Sequence, residues 1–179
     1  MMRKNKNAWQ NNSITDSAEA AYDTLRRLCH DGAQALGISL SDDQLAQFGA
    51  LTEILLSWNK KFNLTRITSL EDIAVKHYLD SLTCLAAAEI PQGAAVVDVG
   101  SGAGFPGLPL AIARPDLRIT FIESTGKKAG FIAEACRSVL NKEPAFISLE
   151  SNHNEIDDKH CVTVVHGRAE QAGRIEAFR

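Results

Sequence analysis

The run Asp98-Val99-Gly100-Ser101-Gly102-Ala103-Gly104 constrains the fold of this chain more than any other feature. It ends a short apolar run, Ala95-Val96-Val97-Asp98-Val99, of the kind a buried parallel strand shows. It also opens a helical stretch from Leu108 to Ala113, which Pro115 stops. Glycines at such a strand-to-helix turn let the backbone bend tightly and approach a ligand without a Cβ in the way. The pattern then repeats in kind. Ile119-Thr120-Phe121-Ile122-Glu123 reads as a second strand, Lys127 to Leu140 as a helix, and Val162-Thr163-Val164-Val165-His166 as a third strand. Strands alternating with helices predict an α/β fold with a parallel sheet and right-handed crossovers.

Upstream the spacing is helical throughout. Ala21, Leu25, Leu28 and Leu36 predict a first helix ended by Gly37. A second opens at Ser41 with Gln44 placed for a capping box, and Leu45, Phe48, Leu55 and Phe62 carry its apolar stripe. A third starts at Ser69, has Asp72 in its first turn, and runs through Ile73, Leu79 and Leu82. Residues 1–16, rich in Asn and Lys, read as a disordered tail. The expected organisation is a tail over 1–16, a helical segment over 17–92 and a ligand-binding core over 93–179. Residues 150–160 hold Glu150, Glu155, Asp157 and Asp158 with Ile156 as the sole aliphatic residue, and read as a solvated loop before the third strand.

A length of 179 residues fits one domain, and 45% apolar residues can fill its core. No run is long enough to span a membrane. No apolar stretch follows Arg3, Lys4 and Lys6, so no secretory signal is read and a cytoplasmic location is expected. A net charge of −3 argues against a surface basic all over, though a local basic patch is compatible with it. Cys29, Cys84, Cys136 and Cys161 form no C-x-x-C pair. His153, His160, Cys161 and His166 fit no standard zinc spacing, so no metal is expected.

The glycine loop admits two kinds of ligand. Gly102, Gly104 and Gly107 spell G-x-G-x-x-G, the dinucleotide fingerprint whose pyrophosphate rests on a helix N-terminus. Glu123 at the end of the second strand accepts from ribose hydroxyls of either ligand. Asp98, however, repels a pyrophosphate and suits the cationic S-adenosylmethionine. Pro106 removes a backbone N–H where a phosphate would need one. Both favour S-adenosylmethionine.

Longer strings carry a family resemblance. They are Trp58-Asn59-Lys60-Lys61-Phe62-Asn63-Leu64-Thr65, Lys76-His77-Tyr78-Leu79-Asp80-Ser81, and Val97 through Ala111 with its G-S-G-A-G-F-P-G core. Glu123-Ser124 with Lys127-Lys128, and Gly167-Arg168-Ala169-Glu170, complete the set. Over about residues 40–179 the chain resembles the glucose-inhibited division protein B family, the 16S ribosomal RNA guanine-N7 methyltransferases (RsmG). The resemblance implies a Rossmann-like class I methyltransferase fold with N-terminal helices, S-adenosylmethionine as cofactor, and the small ribosomal subunit as partner. It implies cofactor contacts at Gly100 and Phe105, a ribose-binding acid at Glu123, and Ala169 and Glu170 beside the adenine. Asp98, Gly102 and Gly104 join them as members of the loop.

On the substrate side the candidates are Lys60, Lys61, Asn63, His77, Asp80, Lys127 and Lys128. Each has two readings. The aromatic and basic residues around Trp58 to Phe62 either contact RNA or form a packed helix end with solvated lysines. His77 and Asp80, i and i+3 on one helix, either shape a substrate pocket or form a helix-surface pair. Lys127 and Lys128 either contact phosphate or are solvated. Guanine N7 already carries a free lone pair, so the implied reaction requires no general base and no catalytic side chain is assigned.

Two departures from the family stand out. One is the polar stretch 150–160. The other is that the chain reaches Arg179 with three strands counted, fewer than a complete sheet of this class. It reads as truncated after the third strand, with the C-terminal strands absent and the first strand left as a bare apolar edge prone to aggregation. A nicotinamide-dependent oxidoreductase and an inactive fragment are the competing readings.

Overall fold

The computed structural model describes residues 8–149 and 161–173. Three helical stretches come first: α1 (Ala8–Ala35), α2 (Asp42–Phe62), and a segment made of α3 (Leu70–Ile73), a π-helical turn (Ala74–Leu79) and α4 (Asp80–Ala87). The sheet region follows as β1 (Ala95–Val99), α5 (Gly107–Ala113), β2 (Arg118–Glu123), α6 (Gly126–Ser138), β3 (Ala145–Ser148), β4 (Val162–His166) and α7 (Ala169–Ala172).

Helix α2 begins as its sequence dictates. Ser41 accepts the Gln44 N–H, and the Gln44 side chain accepts the Ser41 N–H, so two otherwise orphaned donors are satisfied. Gln44 also donates to the carbonyls of Ile112 and Ala113, which ties α2 to the end of α5. Asn63 closes α2 in the left-handed region, at φ 48°.

The sheet is wholly parallel, in the order β1-β2-β4-β3. On one face Val96, Ile119, Phe121, Val162 and Val164 join a core shared with α1, α2, α5 and α6. The boundary near residue 92 therefore separates helices from strands but does not separate cores. On the other face Ile122, Ile147 and Val165 pack on Ala172 of α7. Along β1, Val97 is 48% and Val99 61% exposed.

The structure corrects three expectations. Residues 8–16 are helical, where composition had suggested a tail; residues 1–7 lie outside the described residues. A strand at Ala145–Ser148 went unread, so Val162–His166 is the fourth strand in chain order. Four residues with one exposed aromatic, Phe146, give no periodicity to read. The helix begun at Ser69 contains a π turn, a feature with no spacing signature of its own. The stretch 150–160, read as a loop, lies outside the described residues.

Candidate functional site

The glycine loop is fastened to the end of β2. The Gly100 and Ser101 N–H groups donate to the Ile122 carbonyl at 2.8 and 3.2 Å, and Ser101 Oγ donates to the Asp98 carbonyl at 2.9 Å. The chain turns through Gly100, Gly102 and Gly104 at φ of 73, 58 and 80°. Only glycine adopts such angles without strain. A Cβ on Gly104 would overlap Leu108, so this glycine serves the packing of α5.

Asp98 is tied to the start of α5. Its carboxylate is buried and accepts the Gly107 N–H at 3.0 Å, bracing the first turn of α5 against β1. That contact gives Asp98 a structural role beside the cofactor role expected of it. It also strengthens the argument against a dinucleotide. In the first turn of α5, Gly107 N–H is engaged by Asp98, Leu108 N–H by the Gly104 carbonyl and Leu110 N–H by the Pro106 carbonyl. Pro106 and Pro109 have no N–H. No donor there is free for a pyrophosphate.

Burial, with the charge of Glu123 adding to it, raises the Asp98 carboxyl above its ordinary 3.8, against the lowering effect of its hydrogen bonds. Between 3.8 and that raised value the native state holds a proton the unfolded chain has lost. Stability therefore falls as pH rises through this interval. Asp98→Asn keeps an acceptor for Gly107 N–H and removes the titration. Urea melts across acidic pH should lose this slope, and a slope unchanged in Asp98→Asn would assign it to other groups.

Glu123, also buried, anchors the loop from the β2 side. Its Oε2 accepts the Gly102 N–H at 2.8 Å and its Oε1 accepts the Thr125 N–H at 2.7 Å. Each carboxylate oxygen keeps a lone pair for a further donor. Beside it, at the carboxyl ends of β1, β2 and β4, lies a cleft of about 420 Å³ lined by Val99, Gly100, Ile122, Ser124, Gly167 and Arg168, together with Ala169 and Glu170. Ligands of open parallel sheets bind at such strand ends. A Cβ on Gly100 would stand in open space. Gly100 and the pair Ala169 and Glu170, far apart in sequence, thus meet around one cavity beside Glu123, and its size lies within the usual range for a small-molecule site.

Phe105 faces a second cleft, of about 320 Å³, whose walls include His77, Asp80, Ser81 and Pro106. The Trp58–Thr65 string builds the support behind it. Asn59 Oδ1 accepts the Thr65 N–H at 2.9 Å, Thr65 Oγ1 lies 3.0 Å from His77 Nε2, and the His77 ring stacks on Phe105 at 4.2 Å and 2°. Burial lowers the His77 pKa and so favours the neutral ring that stacks there. Asn59 and Thr65 were not singled out from sequence, although both lie inside the matched string; their roles appear only when α2 and the π turn meet.

The aromatics of that string pack. Trp58 lies 5.3 Å from Phe62 and 5.7 Å from Phe131 of α6. Lys127 places its ammonium 5.4 Å from the Phe62 ring centre. Lys60 and Lys61 are exposed in the last turn of α2, and Lys128 follows Lys127 at the start of α6. Asn63 acts as the helix cap. The lysines therefore gather where the end of α2 meets the start of α6.

Comparison with known proteins supplies a family. Residues 44–177 match the family model described as rRNA small subunit methyltransferase G. The chain is 38% identical over 154 residues to a curated relative from Alkaliphilus metalliredigens, covering 86% of this chain and 57% of that protein. It is 48% identical over 105 residues to one from Pelotomaculum thermopropionicum, covering 59% and 44%, and 42% identical over 143 residues to one from a Roseiflexus species, covering 79% and 53%. All three relatives are named ribosomal RNA small subunit methyltransferase G. The chain spans about half the length of these relatives.

Proposed function

The chain belongs to the rRNA small subunit methyltransferase G family, and from that premise we propose that it methylates N7 of a guanine in 16S ribosomal RNA with S-adenosylmethionine as donor. The observation that carries this reading is the cleft of Gly100, Ala169 and Glu170 beside the Glu123 carboxylate. Its chemistry suits the donor. Gly100 leaves open space at the loop, Glu123 offers acceptors for two ribose hydroxyls, and the α5 N-terminus offers nothing to a diphosphate.

Bound there, S-adenosylmethionine supplies an electrophilic methyl group on a sulfonium. The chain's own part is to hold and orient. Glu123 would hold the ribose, and Ala169 and Glu170 would border the adenine. Phe105 of the glycine loop and the His77 ring stacked on it form part of the wall of the second cleft. Guanine N7 needs no proton removed, so rate enhancement rests on alignment at near-attack distance. Lys60, Lys61, Lys127 and Lys128 would meet backbone phosphates, while Asn63 shapes the end of α2 that carries two of them. With a net charge of −3, this local patch rather than the whole surface provides the attraction.

Glu123→Gln tests the site. The change removes a charge-assisted contact worth about 1.5–3 kcal/mol, so affinity for S-adenosylhomocysteine should fall at least about tenfold. The same change sets an amide NH₂ against the Gly102 or Thr125 N–H, so the melting temperature should fall as well. Calorimetry below the melting range reads the affinity. Unchanged affinity would leave Glu123 a purely structural role and remove it from the cofactor site.

A further inference from the structure

The second cleft contains an acidic side chain with no ion pair among the described residues. Lys76 pairs with Asp72 at 2.8 Å. The His77 ring is engaged by Thr65 at its edge and Phe105 on its face. Ser81 Oγ donates to the His77 carbonyl, and Thr83 Oγ1 donates to the Asp80 carbonyl. Asp80 is the one acidic residue on these walls, it is exposed, and no ion pair to its carboxylate forms among the described residues. It opens α4, while Phe105 and Pro106 of the glycine loop form another part of the same cleft's wall.

We propose that Asp80 reads the Watson–Crick edge of the guanine to be methylated. This rests on the methyl-transfer reading above. Guanine carries N7 on one side of its ring system and the N1–H and N2–H₂ donors on the other. If N7 faces the donor cleft beside the glycine loop, the N1/N2 edge faces away from it, and Phe105, Pro106 and Asp80 share the walls of one cleft in which that edge can meet the carboxylate. A carboxylate is acceptor-only, and its two oxygens match those two donors. Adenine presents a bare N1 acceptor on this edge and is repelled. Asp80 therefore selects guanine by chemistry the lysine patch cannot supply, because phosphate contacts carry no base identity.

The same carboxylate serves the chemical step. The N7 lone pair forms the new C–N bond as the C–S bond breaks and its electron pair stays on sulfur. The positive charge passes from sulfur to the purine. A carboxylate on the N1/N2 edge favours that developing charge, so its loss should lower kcat as well as weaken guanine binding.

The test uses the whole protein with small-subunit particles lacking the modification. Asp80→Asn should lower kcat/KM at least about 100-fold, with Asp80→Glu restoring part of it. S-adenosylhomocysteine affinity and melting temperature should stay near wild type. Asparagine can donate to an adenine N1 and accept from its amino group. In particles carrying adenine at the target position, the guanine-to-adenine ratio of kcat/KM should therefore fall at least tenfold in Asp80→Asn. Wild-type kcat/KM in Asp80→Asn, or a loss with the base ratio unchanged, overturns the assignment. A wild-type protein that leaves guanine unmethylated while Asp80→Asn behaves identically overturns the methyl-transfer reading, and this one with it.

Discussion

Gly107→Ala is expected to cost about 3 kcal/mol of folding stability, against about 5–15 kcal/mol for a whole domain. The added Cβ would stand 2.2 Å from Phe121 Cε1 and 2.8 Å from Asp98 Oδ2. Phe121 is fully buried at the centre of the sheet face and cannot swing away. Asp98 is held by the very N–H that belongs to Gly107. Both neighbours are thus fixed, and the strain must pass into the separation of α5 from the sheet. Chemical denaturation should show the loss with an unchanged m-value. A melting curve coincident with wild type would mean that α5 sits farther from β2 than the structure has it.

Gly100→Val tests the cleft instead. Gly100 has φ of 73° and open space where a Cβ would project, so on the proposed reading the side chain would meet the cofactor rather than the protein. S-adenosylhomocysteine affinity should fall at least tenfold, about 1.4 kcal/mol. The left-handed backbone adds strain of its own, about 1–2 kcal/mol for any L side chain. Gly37→Val controls for that. Gly37 sits at φ of 75° with equally open surroundings, but at the end of α1. Both variants should melt earlier by similar amounts, and only Gly100→Val should lose affinity. Equal affinities in a folded Gly100→Val would move the cofactor away from the loop.

These predictions also mark what the sequence discloses and what it hides. The loop, its strand and its helix are legible because their signals are local: glycines at fixed offsets, an apolar run before them, Pro115 after. The α2 capping box is legible for the same reason, since Ser41 and Gln44 are three residues apart. The cleft is only partly legible. Glu123, Ala169 and Glu170 come from matched strings, but spacing alone does not bring them to Gly100; the parallel register of β1, β2 and β4 does. The structural contact of Asp98 is not legible because its neighbour in sequence is the glycine loop, whereas its partner in space is Gly107, nine residues on. The Asn59–Thr65–His77–Phe105 chain joins the end of α2, the π turn and the loop, and no single segment contains that information. The lysine patch forms in the same way, where the end of one helix meets the start of another.

The central claim is that the cleft beside Gly100 and Glu123 holds S-adenosylmethionine. Parallel equilibrium titrations of the protein with S-adenosylhomocysteine and with NAD test it most directly. One saturable site for S-adenosylhomocysteine, lost in Gly100→Val, and no binding of NAD are expected. Saturable NAD binding with no response to S-adenosylhomocysteine would contradict it.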